Sequence, residues 1–338
     1  MESVDARKNA LERWCSAIGW LQNVSILPMP NDASFRRYFR VCSSKGSFVA
    51  MDAPPPQENC YPFAAIARAL HAKGLNTPEI FAEDLEQGFL LITDFGDKTY
   101  LKALNMENAD TLYSRALESL TIMQGCREVP GRMIPPFTRE FMLQEWAWHK
   151  EWFLDKWLGV PLTNIERALD DCYMRIIDMA ATQPQVFMHR DYHSANLMVL
   201  PGSVGILDFQ DAFIGPVTYD LVSLLRDCYI SWPDERVTHW VNTYWRSLIQ
   251  LGVLNAVTQQ EFLHWFDWMG LQRHLKALLT FARKKIRDQQ PQYLKHVPRT
   301  LYYLLNVSGR YPELNAMSEY LHLTVKPAVE REMMLCAL

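Results

Sequence analysis

With 338 residues, 49% of them hydrophobic and 21% charged, the chain is long enough for two lobes with ample core and too apolar for disorder. A net charge of −4 with no basic block argues against nucleic acid or membrane as partner, and no apolar run approaches the length of a membrane span. The N-terminus MESVDARKNALERW has no signal-peptide core, and Cys15, Cys42, Cys60, Cys126, Cys172, Cys228 and Cys336 are scattered with no CxxC pair, which reads as reduced thiols in a cytoplasmic protein.

Apolar positions at Ala10, Leu11, Trp14, Cys15, Ile18 and Leu21 predict a helix over about 5–22. The alternation of Phe35, Arg37, Phe39 and Val41 against Arg36, Tyr38 and Arg40 predicts a strand, which a polar CSSKGS turn folds into a second strand, FVAMD. Next comes a helix over about 62–73, opened by Pro62 and closed by Gly74, and then a strand Phe89–Thr93 running into the turn Asp94-Phe95-Gly96-Asp97.

Beyond residue 97 the pattern turns helical, with helices expected near 107–125, 138–158, 163–182, 218–230, 234–250, 258–288, 291–306 and 312–323. Thr163 with Glu166 and Thr258 with Glu261 have capping-box spacing. Within Arg139–Trp157, Glu145 and Trp148 belong to an aromatic and acidic stripe of the kind that holds sugars or cationic ligands, although such stripes also build cores. On the 258–288 helix, Arg273, His274 and Lys276 form either a solvated face or an anion contact.

The helical part is interrupted by VFMHRDYHSANLMVLPGSVGILDFQD, residues 186–211. An apolar run delivers His189, Arg190 and Asp191 onto a loop, and two strands joined at Pro201-Gly202 bring Asn196 and Asp208 to one end of a hairpin. One carboxylate, Asp191, can accept a proton from an attacking hydroxyl, while Asn196 and Asp208 supply the few oxygens that Mg²⁺ takes beside phosphates. The HRDxxxxN spacing followed by an LDF turn matches the catalytic loop and metal turn of protein kinases, with Gln210 where the usual Gly would stand.

Under that reading the entry Asn31-Asp32-Ala33-Ser34 lies over the phosphates of ATP without any Gly, and the hinge falls at Thr93, Asp94 and Asp97. The strand lysine of kinases is missing, because Val49-Ala50 is followed by Met51-Asp52. Arg36, Arg37 and Arg40 are the candidates to supply its charge. Asp220, in the first turn of its helix, can cap that helix or brace the catalytic loop.

These strings carry a resemblance. HRDYHSANL and GILDFQDAFIGPVTYDLVSLLRD resemble the aminoglycoside phosphotransferase and choline kinase-like superfamily. SFRRYFRV, VAMDAPPPQEN, GFLLITDFGD, LDFQDAFIGPVTYDL and MGLQRHLK are similar, more closely, to the bacterial N-acetylmuramate/N-acetylglucosamine 1-kinases, over about residues 30–310. The resemblance implies an α+β, two-lobed protein kinase-like fold, with a small β-rich nucleotide-binding lobe over 1–97 and a larger, mostly helical catalytic lobe over 98–338. It also implies Asp191 as base, Asn196 and Asp208 as magnesium ligands, and an N-acetylated amino sugar phosphorylated at its anomeric hydroxyl. Gln210 and Asp211 follow the metal turn, within reach of the sugar or a second magnesium, and Arg273 on the 258–288 helix is the candidate cation for a muramate carboxylate. A cytoplasmic monomer that recycles peptidoglycan sugars is the expectation. Two alternatives stay open at this point: transfer to an aminoglycoside or choline-like amine, and nucleotide binding without catalysis.

Overall fold

The computed structural model describes residues 2–30 and 35–336, and the packing of the chain divides them into two compact units. The first unit comprises the described residues up to Ala103 together with Glu128–Met133 and Asn196–Asp211. Its five-stranded antiparallel sheet joins β1 (Ser25–Pro28), β2 (Arg37–Ser43), β3 (Gly46–Asp52), β4 (Ile80–Asp84) and β5 (Phe89–Thr93) in the order β1-β2-β3-β5-β4. The helix Glu2–Ala17 packs Leu11 and Cys15 onto Phe39, Val41, Ala50, Phe89 and Leu91, so one face of the alternating strands becomes the core that the pattern predicts.

β6 (Gln185–Met188) belongs to the second unit, and the hairpin that the first unit holds is β7 (Leu197–Leu200) with β8 (Ser203–Ile206). Ile206 donates its amide to Asn76 O at 2.9 Å and Val199 to Lys98 O at 2.9 Å, which ties the hairpin to the sheet's connecting segments. Gly205 permits the approach: a Cβ there would stand 2.9 Å from the Phe95 ring.

In the second unit β6 pairs antiparallel with β9 (Phe213–Pro216), and the rest is helical. The helix Gln259–Ile286 runs through its middle, against the helices Glu166–Thr182, Tyr219–Leu225 and Val297–Ser308. Its start is the expected capping box, with the Thr258 side chain accepting from the Glu261 amide and the Glu261 carboxylate accepting from the Thr258 amide. The other expected box does not form. The helix begins at Glu166 behind Ile165 because Asn164 takes a positive φ of 70°, and Glu166 instead accepts a hydrogen bond from Lys150 at 2.8 Å.

Other boundaries also move. The first helix stops at Ala17 rather than near 22, and the helix expected over 218–230 spans only Tyr219–Leu225. The helix expected over 138–158 is α-helical for Arg139–Trp148 and then widens to a π-helix over His149–Trp157. β1, β4, β9 and the short helix Tyr100–Ala103 have no counterpart in the expected elements. Among the described residues no helix is long and apolar enough to cross a membrane.

Asp52 is fully buried at the end of β3, where its carboxylate takes Arg7 Nε at 2.9 Å and Arg37 Nε at 3.0 Å. Removing it leaves the Arg7 and Arg37 guanidinium groups, 31% and 22% exposed, without the carboxylate they share. Asp52→Ala is therefore expected to lower the unfolding free energy by roughly 3 kcal/mol, read from the urea midpoint at unchanged slope. A midpoint equal to that of the parent chain would show the pair to be dispensable.

Candidate active site

In the second unit β6 is apolar and buried, so its end delivers His189, Arg190 and Asp191 from a fixed origin. The turn needs Arg190 at a positive φ of 77°, an uncommon backbone for a non-glycine residue. Asp220 stabilises that turn from beneath: fully buried in the first turn of the Tyr219–Leu225 helix, it accepts the His189 amide at 2.6 Å and the Arg190 amide at 2.9 Å. This is the bracing role open to it from sequence.

The side chains of the loop are held as firmly. Arg190 pairs with Glu145 at 3.2 Å and lies over the rings of Phe213 and Phe141 at 4.8 and 5.3 Å. Glu145, only 4% exposed, also accepts from Gln272 at 2.8 Å, and burial pushes its carboxyl up against the pull of Arg190. Tyr192 is buried and donates to Ala116 O at 2.8 Å, while Ser194 donates from both its amide and its hydroxyl to Asp227.

Asp191 itself remains about one-third exposed. Lys276 donates to its Oδ1 at 3.0 Å, and Arg273 lies 3.8 Å from the same oxygen. Burial raises this carboxyl, but Lys276, His193, Arg273 and Arg190 outweigh it and hold Asp191 well below the usual carboxylate range. These cations thus favour the ionised form of Asp191.

The first unit holds the other chemistry. Leu207 donates its amide to Asn196 O at 3.0 Å, which sets the Asn196 amide 3.3 Å from the Asp208 carboxylate. Asp208 has a positive φ of 63°, and Gln210 donates to its Oδ1 at 2.8 Å, so the carboxylate is turned out of the strand and fixed. An exposed carboxylate beside a half-buried amide is an oxygen donor pair that suits a hard cation completing its shell with water and phosphate. Phe209 is fully buried with its ring centroid 4.9 Å from that of Phe63, while Asp211 is exposed.

The residues expected on the nucleotide have partners within the same unit. Arg36 pairs with Glu58 at 3.0 Å, and Arg37 with Asp52. Arg40 bridges Asp94 and Asp97, each at 2.8 Å, and the Thr93 hydroxyl accepts from the Glu79 amide at 3.0 Å. Ser34 lies outside the described residues. Met51 and Asp52, at the position of the missing lysine, are both fully buried, and Asp52 carries charge opposite to a lysine's.

Glu145, read as a substrate contact, lies beneath Arg190 instead. Trp148 is half-buried, with the Arg283 guanidinium 5.7 Å from its ring. The solvated face considered for Arg273, His274 and Lys276 is not one: Arg273 is 4% and His274 1% exposed, because this helix is packed on several sides. Lys276, Gln272 and Asp227 are the functional neighbours that local motifs missed. Only the Arg-His-x-Lys string hinted at the first.

Residues 25–256 match the model of the phosphotransferase enzyme family. The chain belongs to that family. A protein of Pseudomonas aeruginosa named N-acetylmuramate/N-acetylglucosamine kinase is 41% identical over 333 residues, covering 94% of this chain and 97% of the relative. A protein of Neisseria meningitidis with the same name is 38% identical over 315 residues, with 91% and 93% coverage. Among solved structures, a choline kinase from Streptococcus pneumoniae superposes with a TM-score of 0.62 at 12% identity, covering 88% of this chain and 99% of that one. The fold is accordingly α+β and protein kinase-like, with a five-stranded sheet in the N-terminal part and a mostly helical C-terminal part. The chain is an enzyme of phosphoryl transfer, and membership of a kinase family carries the use of ATP.

The pH dependence of folding tests the brace. Burial raises the Asp220 carboxyl from 3.8 to about 7, against the two amides that favour its ionised form. The folded chain therefore binds this proton more tightly than the unfolded chain, and ionising it costs stability as pH rises from about 4 to about 7. Asp220→Asn lacks that dependence. Its urea midpoint relative to the parent chain is expected to climb between about pH 5 and pH 7.5, and a constant difference would contradict the assignment.

Proposed function

We propose that the chain transfers the γ-phosphoryl group of ATP to the anomeric hydroxyl of N-acetylmuramate and N-acetylglucosamine. The observation that carries this reading is the identity, across nearly the whole of both chains, with relatives bearing that name. In the step, the anomeric oxygen forms a bond to the γ-phosphorus, the bond from that phosphorus to the β,γ-bridging oxygen breaks, and ADP leaves with the electron pair. Asp191 takes the hydroxyl proton.

A hemiacetal hydroxyl is more acidic than an ordinary alcohol, so a carboxylate held ionised suffices as acceptor. Asn196 and Asp208 are the residues we assign to Mg²⁺, which when bound neutralises phosphate charge. Gln210 then acts by fixing Asp208, and Asp211, exposed at the end of the same segment, is proposed to meet the sugar. We assign the nucleotide to residues 1–97, with its adenine along Phe89–Asp97, and the acceptor to 98–338. We infer a cytoplasmic location, which the proposed substrate class and the scattered cysteines without a CxxC pair support.

ADP release from Mg²⁺-ATP, measured with N-acetylmuramate, N-acetylglucosamine, an aminoglycoside and choline, tests the proposal. Turnover is expected with the two sugars only, and Asp191→Asn is expected to lower it by about 10²- to 10⁴-fold. Turnover confined to an amine, or an unchanged rate in the variant, would remove this reading.

A further inference from the structure

Lys276 has no place in the catalytic-loop pattern. It stands on the Gln259–Ile286 helix, 85 residues along the chain from Asp191, and its side chain is only 14% exposed. A lysine so enclosed has given up most of its hydration, and what it finds instead is Asp191 Oδ1 at 3.0 Å. Arg273, one helical turn earlier, reaches the same oxygen only at 3.8 Å, because its Nε donates to Ser223 at 2.8 Å and its Nη1 lies 3.6 Å from Cys228 Sγ. The hydrogen-bonded cation of the pair is Lys276.

We propose that Lys276 is a positioning residue for the phosphoryl transfer, which keeps Asp191 ionised and turns its Oδ1 toward the helix so that the acceptor's proton goes to Oδ2. The inference rests on the reading of Asp191 as proton acceptor. Several charged groups face that carboxylate. Lys276 and Arg273 approach from the helix and Arg190 from its own loop, beside His193, whose imidazole burial holds below its ordinary range, while Asp220 lies beneath the loop, Asp227 behind Ser194 and Glu145 against Arg190. Lys276, at 3.0 Å against 3.8 Å for Arg273, is the nearer of the two helix cations. A carboxylate held in this way is a weak base, which suits an acidic hydroxyl. The lysine's compact ammonium holds one oxygen, where a guanidinium would tend to clasp both.

Carbon-13 NMR of the full chain labelled at the aspartate carboxyls tests this without any acceptor. The signal that Asp191→Asn removes is followed from pH 7 down to the acid limit of the folded chain, and in the parent chain its midpoint is expected below the usual carboxylate range. In Lys276→Met it is expected to titrate with a midpoint higher by about one unit or more, while Lys276→Arg, which restores a cation, keeps the parent behaviour. The acidic limb of kcat/KM for N-acetylglucosamine should move upward in Lys276→Met by the same amount and stay in place in Lys276→Arg. Should Lys276→Met not fold, as judged by circular dichroism, Lys276→Gln carries the same comparison. An Asp191 signal that titrates identically with and without the ammonium overturns the proposal and leaves sugar phosphorylation standing. A shifted signal in a chain that phosphorylates neither sugar supports the role of Lys276 and removes the substrate assignment instead.

Discussion

A single buried carboxylate determines where the catalytic loop can go. Asp220 accepts the amides of His189 and Arg190, and without it those two donors would be unsatisfied in a turn whose Arg190 already has a left-handed backbone. Everything that follows in the loop depends on that turn. It sends the Arg190 guanidinium to Glu145 and presents Asp191 to Lys276. Buried acids thus surround one short loop, each matched by donors: Asp220 by amides, Glu145 by Arg190 and Gln272, Asp227 by Ser194 and Tyr229. Such an arrangement stabilises a fold less than an apolar core would, and what it fixes is the position of the Asp191 carboxylate.

The first unit solves a different problem. Where kinases carry a strand lysine, this chain carries Asp52, which gathers Arg7 from the first helix and Arg37 from the neighbouring strand. The substitution does not merely delete a positive charge from the strand. It converts the end of β3 into an anchor that fastens the first helix to the sheet. Arg40 does similar work at the other side, joining β2 to the turn at Asp94 and Asp97. The arginines that sequence reasoning offered as substitutes for the lysine are engaged with carboxylates of their own unit.

Local features are legible in the sequence. The spacing of Asp191, Asn196 and Asp208 needs only a loop and a hairpin to be read, and the capping box at Thr258 is a contact between residues three apart. What stayed hidden depends on distant chain. Lys276 reaches Asp191 across 85 positions, Arg7 reaches Asp52 across 45, and Glu145 reaches Arg190 across 45. No periodicity encodes such pairings. The short strands β1 and β9 have four residues each and exist because a partner strand satisfies their backbone groups. Thr163 shows the opposite error, since a correct local motif is overridden by the turn at Asn164.

On the function proposed above, Asp191 takes the proton of an acidic hydroxyl, and Asn196 and Asp208 are assigned to magnesium. The most direct measurement is therefore the position of the new phosphate. Phosphorus–proton correlation NMR of the product made from N-acetylglucosamine should show the phosphorus coupled to the anomeric proton, with the reducing end blocked. Coupling to the methylene protons of the primary alcohol would contradict the account, which assigns the proton of the more acidic hydroxyl to Asp191.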